Sequence, residues 1–226
     1  MSARILMVLT SHAKLADTGK ATGFWLEELA APYMAFADAG AEITLASPAG
    51  GKPPVDPGSK DSKAESVKRF LADKSAVARL EQTRELSTLG ADYDAVFVVG
   101  GHGVMWDLAS DSHLASLLAQ TADAGNVVAA VCHGPAGLVP VKLQDGTALV
   151  AGKNVTGFSN EEEEAVGLKD VVPFPLESKL RELGGKYQSK AKWEPFAVRD
   201  GLLITGQNPA SSELVAKQVL GALRER

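Results

Sequence analysis

The stretch AAVCHGPAGL (129–138) holds Cys132, the only cysteine among 226 residues, with His133 beside it and Gly134-Pro135 behind. A thiol is the strongest ready nucleophile among the side chains, and it acts as the thiolate. The apolar run before it, Val127–Val131, predicts a strand, and Gly134-Pro135 predicts a helix start, because proline is tolerated in a first turn. Cys132 is therefore expected in a sharp strand-to-helix turn, a nucleophile elbow, where a small residue two positions on lets the backbones pass. A helix N-terminus brings unsatisfied N–H groups and a positive dipole end, so the turn also predicts a lowered thiol pKa. The competing reading is an inert buried thiol, since free cysteine is among the most buried residue types. Placement at the end of the apolar run, and not inside it, favours the nucleophile.

Other residues could complete such chemistry. His133 is a candidate base for the thiol or a turn residue facing solvent; a base also needs a group to orient it. The acids Glu161–Glu164 follow NVTGF (154–158), a second candidate strand end. One of them could reach the imidazole at the same sheet edge, or all four could be solvated first-turn acids that complement a helix dipole. FVVGGHG (97–103) ends another apolar run in glycines. These either permit a turn or let backbone N–H groups face a developing oxyanion. The motif lacks the spacing of a dinucleotide fingerprint and the Lys-Ser/Thr pair of a Walker loop, so no cofactor is expected. No histidine pair has ligand spacing on a helix and one cysteine makes no zinc cage, so no metal is expected either. His12 and His113 read as surface or loop residues, and Trp25, Trp106 and Trp193 as core or pocket wall.

The elements that must position these residues follow from periodicity. Ile5–Leu9, Ile43–Ala46, Val96–Val99 and Val127–Val131 are nearly continuous apolar runs, the pattern of strands covered on both faces. A fifth, LLIT (202–205), follows the turn signal Asp200-Gly201. Between them, residues 24–40, 112–125 and about 211–223 have helical spacing. Strand and helix alternating predict an α/β fold with a mostly parallel sheet sandwiched by helices. PAGGKPPVDPGSKDSK (48–63) reads as a surface loop followed by a charged helical segment, 64–86. Helical material at 159–185 follows a strand at about 154–157. Neither stretch has linker composition, which predicts one domain, 1–226, with insertions at about 48–86 and 159–185.

Composition narrows the partners. Charged residues make up 23% and the net charge is −5, spread along the chain; this argues against a nucleic-acid surface, which needs clustered Lys and Arg. No stretch approaches the ~18 apolar residues of a membrane span, and Ile5–Leu9 is too short for a signal-peptide core. A single cysteine precludes an intrachain disulfide and fits a reducing compartment, so the cytoplasm is expected.

In chain order, TGFWLEELAAPY (22–33), VFVVGGHGVMWD (96–107), AAVCHGPAGL, VTGFSNEEE (155–163) and LLITGQNPAS (202–211) resemble the ThiJ/PfpI superfamily over nearly the whole chain. They are most similar to its heat-shock chaperone/glyoxalase III branch, on a flavodoxin-like, class I glutamine amidotransferase-like fold. The resemblance implies Cys132 as nucleophile and His133 as its immediate partner. It also implies a buried glutamate on the first helix that touches the cysteine. Glu28, not the adjacent Glu27, sits at the matching distance from Gly23 and Pro32. The acid that orients His133 falls at Glu163, with Glu162 and Glu164 left open, and the N–H groups of Gly101 and His133 match the oxyanion amides. A buried Glu28 would have a raised pKa and carry protons.

The activity implied is a glutathione-independent glyoxalase that converts the small dicarbonyl methylglyoxal to D-lactate through a cysteine hemithioacetal, without a cofactor. Protein or nucleotide deglycase activity would use the same apparatus. Two further readings are a stress-related holdase chaperone, binding unfolded clients near Phe24-Trp25 or through 171–176, and a cysteine peptidase or amidohydrolase. The glutaminase reading of the same fold needs a histidine late in the chain, and none follows His133. A homodimer is implied by the family alone.

Overall fold

The computed structural model describes residues 2–226. Its strands are β1 (Arg4–Val8), β2 (Glu42–Ser47), β3 (Arg84–Glu85), β4 (Ala95–Val98), β5 (Val127–Val131), β6 (Asn154–Val155), β7 (Lys186–Tyr187), β8 (Ala197–Asp200) and β9 (Leu203–Gly206). Its α-helices are α1 (Leu26–Asp38), α2 (Glu65–Ala72), α3 (Lys74–Glu81), α4 (Ser112–Asp123), α5 (Asn160–Ala165), α6 (Leu176–Glu182) and α7 (Ser212–Arg224).

Seven strands form one sheet in the order β3-β2-β1-β4-β5-β9-β8, parallel except for the hairpin of β8 and β9. The side chains of Ile5–Val8, Ala95–Val98 and Val127–Val131 are buried throughout, which is why their sequences are continuous apolar runs instead of alternating ones. The strand order turns back between β1 and β4. Right-handed crossovers then put α1 on one face and α4 on the other, and leave a crevice at the carboxyl ends of the strands. α7 packs beside α1.

The charged segment 64–86 is two helices, not one, because Asp73 leaves helical geometry and caps α3 through the N–H groups of Ser75 and Ala76. Val67 and Phe70 of α2 are buried, with the Phe70 ring edge-on to Tyr33 of α1 at 5.1 Å. The segment 159–185 supplies α5 and α6, and β6 pairs with β7 in a separate two-stranded ribbon. After Cys132 the expected helix is only a 3-10 turn, Gly134–Leu138. No helix among the described residues is long and apolar enough to cross a membrane.

Candidate active site

Cys132 leaves β5 with φ +59°, a left-handed conformation uncommon for a residue with a side chain. Two backbone bonds pin it there: its N–H donates to the Gly206 carbonyl at 2.9 Å, and its carbonyl accepts the Phe158 N–H at 2.8 Å. Two residues on, a Cβ at Gly134 would stand 2.4 Å from the Val98 carbonyl oxygen, so only glycine lets the elbow pass β4. The turn brings Sγ within 3.5 Å of His133 Nδ1.

Glu28 comes from the first turns of α1, fully buried. Pro32, one turn on, lacks the N–H that would bond to the Glu28 carbonyl. The Glu28 carboxyl makes no hydrogen bond of ordinary geometry; the groups facing it are the Cys132 thiol and the Gly100 N–H. Gly100 makes this approach possible, because a Cβ there would lie 2.2 Å from Glu28 Oε2. Burial holds the Glu28 carboxyl well above the usual carboxylate range, with the contacts to Cys132 and Gly100 pulling the other way. Burial thus favours its protonated form.

The acidic run resolves residue by residue on α5. Glu163 Oε2 accepts from His133 Nε2 at 2.8 Å. Glu162 turns away: Oε2 closes a capping box with Ser159, and Oε1 accepts the Asn208 Nδ2 at 2.8 Å and the Trp193 N–H at 3.0 Å. Glu161 and Glu164 are exposed beside Lys192 and Lys169. The structure adds His102, which the reading of GGHG for its glycines overlooked. His102 Nε2 lies 2.9 Å from Glu163 Oε1, and its ring is centred 4.0 Å from that of His133. Burial alone would raise the Glu163 carboxyl, but the His133 charge and the bonds from both imidazoles hold it well below the usual range. A charged carboxylate only accepts, which assigns the Nε2–H tautomer to His133 and leaves the Nδ1 lone pair facing the sulfur. Burial and the neighbouring His102 push the His133 pKa below 6.5, against the pull of Glu163.

The thiol departs from expectation. Cys132 is 3% exposed, and burial followed by the adjacent Glu28 charge pushes its pKa well above 9.0. A short 3-10 turn supplies too little dipole to offset that. Protonation of Glu28 removes the repelling charge and turns the carboxyl into a donor toward sulfur, so thiolate formation is tied to this acid and to His133. The His133 N–H faces the sulfur. The bonds that hold the Gly100-Gly101 turn use its carbonyls, accepting from Trp25 and Val104, and leave the Gly101 N–H outside them.

His102, His133 and Glu163 are the one His/Cys/Asp/Glu group among the described residues whose ligand atoms lie close enough for a metal ion, within 4.8 Å. The Nε2 atoms of both imidazoles also lie at hydrogen-bond distance from the carboxylate, 2.9 and 2.8 Å, as in a hydrogen-bonded relay. Trp193 is a further correction. It is neither core nor enclosed wall but 47% exposed at φ +68°, because Glu162 holds its N–H. Its ring lies 5.9 Å from Phe158, which covers His133 at 4.4 Å. Of the two segments read as apolar client surfaces, Phe24, Val172 and Leu176 are buried, whereas Trp25, Val171 and Phe174 are partly exposed.

The site is thus an open α/β sheet that carries a cysteine at a left-handed strand-to-turn elbow, a histidine beside it and an acid behind the histidine. The chain belongs to the DJ-1/PfpI family, whose model matches residues 20–222. It is 31% identical to "Glyoxalase 3" of Candida albicans over 97% of this chain and 98% of that protein. It is 28% identical to "Glutathione-independent glyoxalase HSP31" of Saccharomyces cerevisiae over 98% of each. Among solved structures, the Rapid Encystment Protein 24 KDa of Francisella tularensis superposes with a TM-score of 0.94 at 38% identity, covering 99% of both chains. Glyoxalase III from Candida albicans superposes with a TM-score of 0.89 at 30% identity, covering 97% of both.

Proposed function

We propose that the protein is a glutathione-independent glyoxalase that converts methylglyoxal and water to D-lactate. The observation that carries this reading is the sulfur of Cys132 set between the His133 Nδ1 lone pair at 3.5 Å and the buried Glu28 carboxyl. The relatives named above as glyoxalases, similar along their whole length, support it.

His133 takes the thiol proton and the sulfur attacks the aldehyde carbon. The resulting alkoxide of the hemithioacetal is stabilised by the N–H groups of Gly101 and His133 and is then protonated. The aldehyde carbon next loses its proton to Glu28, ionised once it has delivered its own proton to the substrate oxygen, and the electron pair moves into an enediol whose second oxygen takes from His133 the proton that the thiol gave up. Return of a proton to the neighbouring carbon leaves a lactoyl thioester on Cys132. Water, deprotonated by His133, cleaves the C–S bond, and the thiol regains its proton. Glu163 keeps His133 in the tautomer that every one of these steps needs. Burial of the sulfur favours a two-carbonyl substrate of a few atoms over the extended chain that a peptidase must admit. A deglycase would share the residues and differ in what reaches them.

The test is D-lactate formation from methylglyoxal without glutathione. Wild type should turn over and Cys132→Ala should not. Equal turnover, or none in either, overturns the reading.

A further inference from the structure

We propose that His102 is a positioning residue of this site: it clamps one oxygen of Glu163 so that the other fixes His133 with its proton on Nε2 and its Nδ1 open to Cys132. The inference rests on the reaction proposed above for its kinetic consequence, but the clamp itself is a matter of geometry.

A glutamate has three rotatable side-chain bonds, and a single hydrogen bond from His133 would fix one oxygen while leaving the carboxylate plane free to turn. Here both oxygens are taken: Oε2 by His133 at 2.8 Å and Oε1 by His102 at 2.9 Å. The two imidazoles reach the carboxylate from turns that follow neighbouring strands. β4 and β5 pair with Val98 beside Ala130, so His102 and His133 leave the sheet edge side by side, with ring centroids 4.0 Å apart. Phe158 closes the other side, 4.4 Å from the His133 ring and 5.9 Å from that of His102. The imidazole of His133 therefore has an aromatic neighbour on each side and one acceptor at its tip. The other charged groups near this cluster are Glu162, committed to Ser159, Asn208 and Trp193, and Glu28 on the far side of the sulfur. Neither competes for the His102 N–H. If His102 were only packing, its N–H would have no reason to lie in hydrogen-bond range of a carboxylate that His133 already satisfies.

Two variants separate the functions of this side chain. His102→Phe keeps a ring against His133 and removes the donor; His102→Gln keeps an N–H donor at similar reach and removes the ring. Nitrogen-15 spectra of the histidine rings read the tautomer directly. Wild type should show His133 protonated on Nε2 and unprotonated on Nδ1. His102→Phe should show a tautomer mixture and a kcat for D-lactate lower by about 10- to 100-fold, with KM within about twofold, the scale of losing an outer partner that orients a working group. His102→Gln should restore the ring signals and most of the rate. Unchanged His133 signals in His102→Phe, or a Gln variant as impaired as the Phe variant, overturns the clamp. If His102→Phe does not fold, His102→Ala against His102→Gln gives the same comparison. A wild type that makes no lactate yet whose His133 signals depend on a donor at position 102 would remove the glyoxalase reading and leave the clamp standing. An active wild type with indifferent signals would do the reverse.

Discussion

Glu28 offers the sharpest quantitative test of the site, because replacing it with glutamine mimics its protonated form. The group is 0% exposed and its carboxyl is held well above the ordinary 4.5 by burial. In the unfolded chain it ionises near 4.5, whereas in the folded chain it ionises at higher pH. Between those two values the folded state binds one proton more, so stability must fall as pH rises, by about 1.4 kcal/mol per pH unit. Above the folded pKa the loss is complete and the slope vanishes. Glu28→Gln has no such proton. The stability of the variant relative to wild type should therefore climb above pH 4.5 by up to about 1.4 kcal/mol per unit until the folded carboxyl ionises, or up to about 3 to 5 °C in Tm per unit for a chain of this size. Taking the difference between the two proteins matters, since His133, with its lowered pKa, imposes an opposite trend on both below pH 6.5. Urea unfolding of both proteins at half-unit steps from pH 4.5 to 7.5 reads the difference. Glutamine can accept from the Gly100 N–H and donate toward sulfur, so a constant offset between the curves is immaterial; the slope is the prediction. Parallel curves would mean that Glu28 ionises in the folded protein as it does in water, and the proton carrier of the proposed reaction would be lost. The same variant should turn over methylglyoxal about 100- to 10,000-fold more slowly, the usual contribution of a positioned acid–base group.

Other consequences follow from the same geometry. Because Cys132 sits at φ +59°, Cys132→Gly should be at least as stable to urea as Cys132→Ala, reversing the ordinary order, since the left-handed turn costs a side-chain-bearing residue about 1–2 kcal/mol; a clearly more stable alanine variant would deny the strain. Iodoacetamide inactivation of wild type should accelerate with a midpoint above pH 9.0, and Glu28→Gln should move that midpoint down by removing the adjacent negative charge; a midpoint near neutrality would contradict the buried thiol described above. Glu163→Gln should lower kcat by about 10,000-fold near neutral pH, because an amide puts an N–H where an imidazole N–H must be accepted and so disfavours the working tautomer. Its residual activity should rise with pH as hydroxide replaces the base, and a pH-independent residue of activity would argue against His133 as that base.

The parts legible in the sequence are those decided locally. Val127–Val131 reads as a strand because burial on both faces leaves no polar position in it, and the glycine two residues after Cys132 announces the elbow for a steric reason visible in the string. Glu28 was reachable only through the family motif, since nothing in LEELAAPY distinguishes a buried glutamate from an exposed one. What decides its state is the missing side chain at Gly100, some seventy residues away. His102 stayed hidden for a similar reason. Its partner lies 61 residues on, and the two meet only after β4 and β5 have paired. The thiol pKa is not legible because Gly134-Pro135 suits a helix start as well as the 3-10 turn that forms, and because nothing local shows the burial that raises it. β8 escaped notice because an edge strand, half exposed, shows no run of apolar residues.

Glu162 and Glu163 are consecutive, yet one grips the outermost loop and the other the innermost base. The helix that carries them is only six residues long and is stitched at its start by the capping box. The Trp193 backbone and the two imidazoles are therefore held by neighbouring carboxylates of one short helix. One peptide unit thus joins the half-exposed Trp193 at the surface to the buried imidazoles beside Cys132.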